Sequence, residues 1–497
     1  MYNGSATQAI TVARSGLYSF SFFEEIAFAP GNYGLTAAFN GTTAVNAAYS
    51  SGAYNKVTTN VKLNAGQNIL SLHGTLLSGS DDALALDDFS LTFLQAFQIS
   101  PNLPINAPLN AVNVAGAIDN FSNNGGTLPQ NFANLSNLSG VQLVNALLQL
   151  DGETSTGAEK GAFQLMNQFL GLMLDPFVDG RFGAGTSNFA PDREASLPPD
   201  IAMAYASVLK APPKVVDNRW SVWGTGFGGT SHANGDPAIG SSDVTASTYG
   251  FASGADYHFT RDALAGFALA GAGTNWGLSQ FLESGRSDAF QAGVYGKTAW
   301  GPVYLAAAFA YTENWFTTNR LALGDQLTAK FNGESYGGRL ESGYRFVVPS
   351  NVGQFEISPY GAIQAQSFHT PNYSETDLTG GGLGLNFNAM NATDTRSELG
   401  ARFADMTAVN GMPLILRARL AWAHDWVDNP ALNAVFQALP GSSFVVNGAP
   451  IPSDSALASV GAELHMTSHW SATAKFDGEF ASNSQIYAGT GTLRYTW

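Results

Sequence analysis

The stretch Ile486-Tyr487-Ala488-Gly489-Thr490-Gly491-Thr492-Leu493-Arg494-Tyr495-Thr496-Trp497 alternates without a break and ends the chain. Successive side chains of a strand point to opposite faces. Tyr487, Gly489, Gly491, Leu493, Tyr495 and Trp497 therefore share one face, and Ile486, Ala488, Thr490, Thr492, Arg494 and Thr496 the other. Soluble domains usually end in a frayed polar tail. An amphipathic strand that ends on an aromatic suits the closing strand of an outer-membrane β-barrel, with an apolar face toward lipid and aromatics at the interfaces.

The same period continues backward to Arg219. Val303, Leu305, Ala307, Phe309 and Tyr311 alternate with Tyr304, Ala306, Ala308, Ala310 and Thr312. Leu414, Leu416, Ala418, Leu420 and Trp422 alternate with Ile415, Arg417, Arg419 and Ala421. About twelve such runs begin near Trp220, Thr245, Ala263, Asp288, Val303, Thr328, Gln354, Arg396, Pro413, Ser455, Trp470 and Gln485, an even number, as single-chain bacterial barrels require. Tight connections (Thr260-Arg261-Asp262, Trp300-Gly301-Pro302, Thr467-Ser468-His469) alternate with long Gly/Asn/Pro-rich ones at 231–244, 317–327, 370–395 and 427–454. Short turns are periplasmic and long loops extracellular in such barrels, so both barrel ends lie in the periplasm.

Charges inside the runs obey one parity. Arg339, Glu341 and Arg345 oppose Leu340, Tyr344 and Phe346, and Arg396, Glu398 and Arg402 oppose Leu399 and Phe403. A charge on the lipid face at the midplane costs roughly 2–4 kcal/mol. These residues, with Arg417 and Arg419, are therefore predicted to face the lumen, beside opposite-sign or hydrated partners.

Composition agrees with this class. Charged residues make up 12% of 497, against about 25% in ordinary domains, while 55 residues are Gly and 12% are aromatic. The net charge of −16 argues against a nucleic-acid partner. Cysteine is absent, which excludes disulfides and thiolate metal sites. No apolar run reaches the ~18 residues of a transmembrane helix. Met1-Tyr2-Asn3-Gly4 has neither a basic n-region nor an apolar h-region, so an export signal is expected upstream.

Four segments follow. Residues 1–97 read as short strands and turns, an N-terminal β-sandwich of jelly-roll type, truncated at its start, with 98–137 as a linker. Residues 138–218 turn helical: Leu138, Val141, Val144, Leu147 and Leu148 recur at three or four, as do Phe163, Met166, Phe169, Leu170, Met173 and Leu174. A pore helix is placed at 200–210, next to the first barrel strand. Residues 219–497 form the barrel, and the fold class is all-β dominated.

Several stretches carry a family resemblance. Ala146-Leu147-Leu148-Gln149-Leu150-Asp151-Gly152-Glu153, Tyr336-Gly337-Gly338-Arg339-Leu340-Glu341-Ser342-Gly343-Tyr344-Arg345-Phe346, Ser358-Pro359-Tyr360-Gly361-Ala362-Ile363-Gln364-Ala365-Gln366-Ser367-Phe368 and Thr395-Arg396-Ser397-Glu398-Leu399-Gly400 occur in that order ahead of the aromatic terminus. Over residues 140–497 the chain resembles the monomeric type V autotransporters. The resemblance implies a Gram-negative outer-membrane barrel of twelve strands, a lumen helix and a passenger displayed outside the cell. The implied partners are outer-membrane lipid, lipopolysaccharide and the barrel-assembly machinery, which would read the terminus at Tyr495 and Trp497; the barrel itself would be monomeric. This passenger is short and carries no long β-helix repeat.

Other motifs have plainer readings. Gly333-Glu334-Ser335-Tyr336-Gly337 spells a nucleophile elbow but sits inside an alternating run, not at a strand-to-helix turn. Gly224-Thr225-Gly226-Phe227-Gly228-Gly229 lacks the helix and acid of a dinucleotide site. Glycines in a first barrel strand would instead let the pore helix approach. The histidines show no metal spacing. Asp81, Asp82, Asp87 and Asp88 cluster, and Asp87 and Asp88 are the candidate binding residues, for a structural Ca²⁺ or a surface glycan; a solvated turn is the competing account. Tyr18, Phe22, Tyr33, Tyr49 and Tyr54 could stack on sugars or simply pack a core.

The leading reading is a non-enzymatic secretion device whose passenger is an adhesin or glycan-binding module. Its alternatives are a porin-like channel, which would need more strands, and an enzyme passenger whose catalytic part lies upstream.

Overall fold

The computed structural model describes residues 3–27, 32–50, 54–78, 83–175, 203, 219–260, 262–279, 283–350, 353–428 and 430–497. The chain divides into two compact units, residues 1–151 with 380–385 and 435–445, and the remainder.

The first unit opens with seven strands: β1 Asn3–Val12, β2 Gly16–Ala27, β3 Asn32–Phe39, β4 Thr42–Tyr49, β5 Asn55–Leu63, β6 Gly66–Ser78 and β7 Ala83–Ala96. They form a four-stranded sheet β1-β6-β3-β4 and a three-stranded sheet β5-β2-β7. Phe20, Phe22, Leu35, Ala37, Phe39, Leu63 and Leu70 fill the space between the sheets. The β3–β4 hairpin turns on Asn40 (φ 52) and Gly41 (φ 83), the left-handed pair that a two-residue hairpin needs.

Residues 98–137 are not a plain linker. Helix α1, Leu109–Asn123, buries Ala111, Val114, Ala115 and Ile118, a helical stripe that the surrounding asparagines disguise. Two more helices follow, α2 at Gln130–Asn134 and α3 at Gly140–Leu148. Within this unit Phe132 packs edge-on against Phe436 at 4.9 Å, and the Asn113 amide donates to the Val445 carbonyl at 2.9 Å.

The second unit is a closed antiparallel barrel of twelve walls. They are β8 Trp220–Ala233, β9 Val244–His258, β10 Ala263–Leu278, β11 Ser284–Trp300, β12 Val303–Ala322, β13 Asp325–Tyr344, β14 Gly353–Thr370, β15 Met390–Val409, β16 Met412–Val427, β17 Asp454–His465, β18 Trp470–Ala481 and β19 Ser484–Thr496. Five short segments prolong β13 to β17 at one end or the other. Exposed Trp220, Trp300, Tyr344, Phe346, Trp470 and Trp497 girdle the short-turn end, and Tyr249, Trp315, Tyr336, Trp422, Trp426 and Tyr487 the upper wall. Burial alternates along β12 and β13 with period two, which places lipid-facing and lumen-facing residues as the sequence orders them.

Closure runs through the last residue. β19 pairs with β8 from Ser484↔Ala233 to Thr496↔Ser221. Beyond it, the Trp497 amide donates to the Trp220 carbonyl at 3.1 Å, and the Trp220 amide to the Trp497 carbonyl at 3.3 Å. An unpaired edge has no water to satisfy it inside the bilayer. Deleting Tyr495 to Trp497 is expected to leave most of the chain in the unboiled, expanded band on a heat-modifiability gel. Wild-type proportions of the compact band would refute that role.

Candidate functional site: a helix seated in the barrel lumen

Helix α4, Gly157–Leu174, lies inside the barrel. Its eighteen residues span about 27 Å at 1.5 Å each, close to the roughly 30 Å of a hydrocarbon core. Leu165, Met166, Phe169 and Leu170 are fully buried, against Ala252, Ala268, Ala270, Ala306, Ala308 and Ala310 of the inner wall. Small side chains on one arc of the wall make the room. Two glycines complete it: a Cβ at Gly293 would come within 2.7 Å of Met173, and one at Gly337 within 2.7 Å of Met166.

Polar side chains hold the helix elsewhere. Gln168 donates to Thr248 at 3.0 Å, and Ser231 donates to Gln164 at 3.2 Å. Gln366 donates to Asn167 at 3.0 Å, and Gln364 to the same oxygen. At the C-cap, the Asp175 carboxylate accepts from Lys475 and lies 3.7 Å from the Arg402 guanidinium. On the remaining side the helix leaves a cavity of about 260 Å³, lined by Lys160, Gln164, Gln168, Arg396, Lys475 and Glu479 among others.

The lumen charges form wall-to-wall pairs. Arg339 bridges Glu341 and Glu398 at 2.9 Å each, Arg402 reaches Glu341 at 3.0 Å, and Arg419 reaches Glu398 at 3.4 Å. Arg396 holds Asp425 and Glu479 at 2.6 Å each, Arg417 holds Glu463 at 2.8 Å, and Arg345 holds Glu356 at 3.0 Å. All eight charged residues singled out from parity thus sit in ion pairs. A buried guanidinium is tolerable only with such partners.

The helix has a direction. Just before it, the Glu153 carboxylate accepts the Ser242 amide at 2.8 Å, and the Thr154 amide donates to Glu283 at 3.2 Å. Ser242 lies in the long β8–β9 connection. The chain therefore enters the lumen at the long-loop end and runs toward the short-turn end, where β8 begins beside Trp497.

This corrects two expectations. The lumen helix is 157–174, whereas all but one of residues 200–210 lie outside the described residues. The glycines of 224–229 do not make its seat: a Cβ at Gly224 would meet Phe251, one at Gly228 Thr248, and one at Gly229 Tyr487 and Ala488. The signal for the true seat was present in Ala306, Ala308 and Ala310, three small residues on the inward parity of one strand.

In the first unit, Tyr18, Phe22 and Tyr33 are core, while Tyr54 is half exposed. Asp87 and Asp88 are exposed, with Asp88 in a left-handed bulge (φ 50) and its amide donating to Asp87 at 2.8 Å. Among the described residues no group of three histidines or acids could hold a metal, and Asp81 and Asp82 lie outside the described residues.

The autotransporter β-domain profile matches residues 222–477, just over half of the chain. The chain belongs to the autotransporter family. Its barrel is accordingly an outer-membrane translocator domain. An extracellular serine protease of Serratia marcescens is 24% identical over 277 residues, covering 55% of this chain and 25% of the protease. The chain thus spans a quarter of the length of the curated relatives it matches. The translocator domain of NalP from Neisseria meningitidis aligns with TM-score 0.46 and 14% identity over 60% of this chain and 98% of that domain. The β-domain of the Bordetella autotransporter BrkA aligns with TM-score 0.42 and 17% identity over 56% and 100%.

Leucines at Gly293 and Gly337 should collide with Met173 and Met166, displace α4 and raise single-channel conductance in planar bilayers severalfold. Unchanged conductance would mean that the autotransporter's pore is closed by something other than the helix.

Burial pushes the Glu153 carboxyl up to about 8, with neighbouring Glu283 adding to the rise; the Ser242 amide and Lys160 oppose it. A raised folded value means that this group's contribution is full below about 4.5 and is lost as pH climbs through about 8. The melting temperature of the compact band should therefore fall between about pH 5 and about pH 9, and Glu153→Gln should flatten that fall. Parallel curves for the two proteins would count against it.

Proposed function

We propose that the barrel carries residues 1–151 across the outer membrane and keeps them at the cell surface as a binding module, an adhesin that takes glycans. The observation that carries this reading is the direction of α4, which enters the lumen from the long-loop end. Residues 153–156, just before it, lie at that end, which is the side a passenger occupies once transport is complete. The outward face meets acyl chains and lipopolysaccharide, and the assembly machinery reads Tyr495 and Trp497.

The module acts by binding rather than by catalysis. Phe23 and Tyr54 stack at 4.8 Å with 8° between their planes, the Lys56 ammonium lies 5.7 Å from the Phe23 ring centre, and the Tyr54 hydroxyl is 3.5 Å from Asp87. An exposed ring beside a carboxylate and an ammonium offers the apolar face and polar rim that a sugar ring uses.

Two measurements test the reading. Externally added protease should degrade residues 1–151 on intact cells and spare the barrel; a passenger cleaved only after cell lysis would overturn surface display. Tyr54→Ala should weaken binding to a glycan array several-fold while leaving surface display unchanged, and equal binding by the two proteins would discard this ring as the contact.

A further inference from the structure

Strand β7 is the outer strand of its sheet, and none of the described strands pairs with its far side. In its central stretch, Phe89-Ser90-Leu91-Thr92-Phe93, residues Ser90 to Phe93 run in register against β2, and the register shift at Ser21/Phe23 falls beside Phe89. Leu91 lies opposite Phe20, and Phe93 opposite Tyr18. Phe89 stacks on Phe22 at 5.6 Å, and Phe93 meets Tyr18 edge-on at 5.3 Å. Phe89, Leu91 and Phe93 therefore belong to the interior face of the sandwich. Phe89 is nevertheless 44% exposed and Phe93 36%. The sandwich is open along this edge, at rings that its own sheets do not cover.

Long apolar edges pair with other strands unless charges, prolines or bulges guard them. On β7 the guards stand outside the central stretch: Asp87 and the bulged Asp88 precede it, and Gln95 follows. The stretch itself reads alike in both directions, as aromatic, hydroxyl, leucine, hydroxyl, aromatic. Antiparallel pairing with its own copy about a twofold axis at Leu91 sets Phe89 against Phe93 of the partner subunit. The same register sets Ser90 against Thr92 of the partner subunit and Leu91 against Leu91 of the partner subunit. Asp87 then faces Gln95 of the partner subunit, so no carboxylate opposes another. Cross-strand aromatic and hydroxyl pairs are the favourable kind, and a self-complementary patch is what a twofold interface requires.

We propose that β7 pairs with β7 of a second copy, joining two sandwiches into one continuous sheet while each barrel stays monomeric. The interface is main-chain pairing closed over by Phe89 and Phe93, and it links two displayed passengers.

The absence of cysteine makes the test direct. Opposed antiparallel residues have Cα atoms about 4.5–5.5 Å apart, within disulfide reach. Leu91→Cys in the full chain, purified in detergent and oxidised, should form a disulfide-linked dimer. Ser19→Cys, on central strand β2 between Asn60 and Thr92, should stay monomeric. The unmodified chain should sediment as a dimer, and Phe89→Lys with Phe93→Lys as a monomer. Leu91→Cys removes neither ring, so it decides the matter even where the lysines disturb the sandwich. Cross-linking no faster at Leu91 than at Ser19, or a monomeric unmodified chain, overturns the proposal. A monomer whose β7 amides resist exchange would place a strand of the same chain on the edge instead.

Discussion

Everything in this molecule depends on closing one ring of backbone hydrogen bonds. In hydrocarbon an unpaired amide or carbonyl costs several kcal/mol, so a sheet in lipid has no tolerable edge. The β8–β19 seam meets that requirement to its last residue, where Trp220 and Trp497 exchange both hydrogen bonds. Without the seam there is no inside and outside, and neither the lipid-facing aromatics nor the lumen pairs would have a place.

Closure creates a second requirement, because twelve walls enclose more space than their own side chains fill. The molecule resolves it asymmetrically. One arc of wall is rich in alanine, with Trp223, Phe227 and Tyr295 beside it, and receives the apolar stripe of α4, including Leu165, Phe169 and Met173. The other arc carries arginines and carboxylates and borders a cavity of mixed lining. An autotransporter barrel of this design is occupied by a fitted helix on one side and lined by paired charge on the other.

The barrel was legible in the sequence because its two physical signals are local: period two, and a charge parity that lipid enforces. Parity alone sends Arg339, Glu398 and Arg402 inward. The lumen helix was harder. Its own periodicity from Phe163 to Leu174 was plain, but which helix enters the pore depends on the matching wall, read across four strands distant in sequence. Nearness to the first strand favoured 200–210, and the alanine and glycine arc favours 157–174. In the first unit, β1 and β4 carry little sequence signal because Asn3–Val12 and Thr42–Tyr49 are mostly exposed and small, with little apolar alternation. Helix α1 hid for the related reason that asparagine lowers helix propensity while tertiary burial of Val114 and Ile118 overrides it.

The lumen ion pairs are almost all internal to the wall. Arg339 with Glu398, Arg402 with Glu341, Arg396 with Asp425 and Glu479, and Arg417 with Glu463 need nothing from α4; the helix adds Asp175 to a set that is already balanced. The barrel's electrostatics and the helix's seat are consequently separable energies. A cylinder emptied of its helix keeps its charge neutralised and its walls braced. The strength of helix docking can thus be tuned without disturbing the charge pairing of the wall.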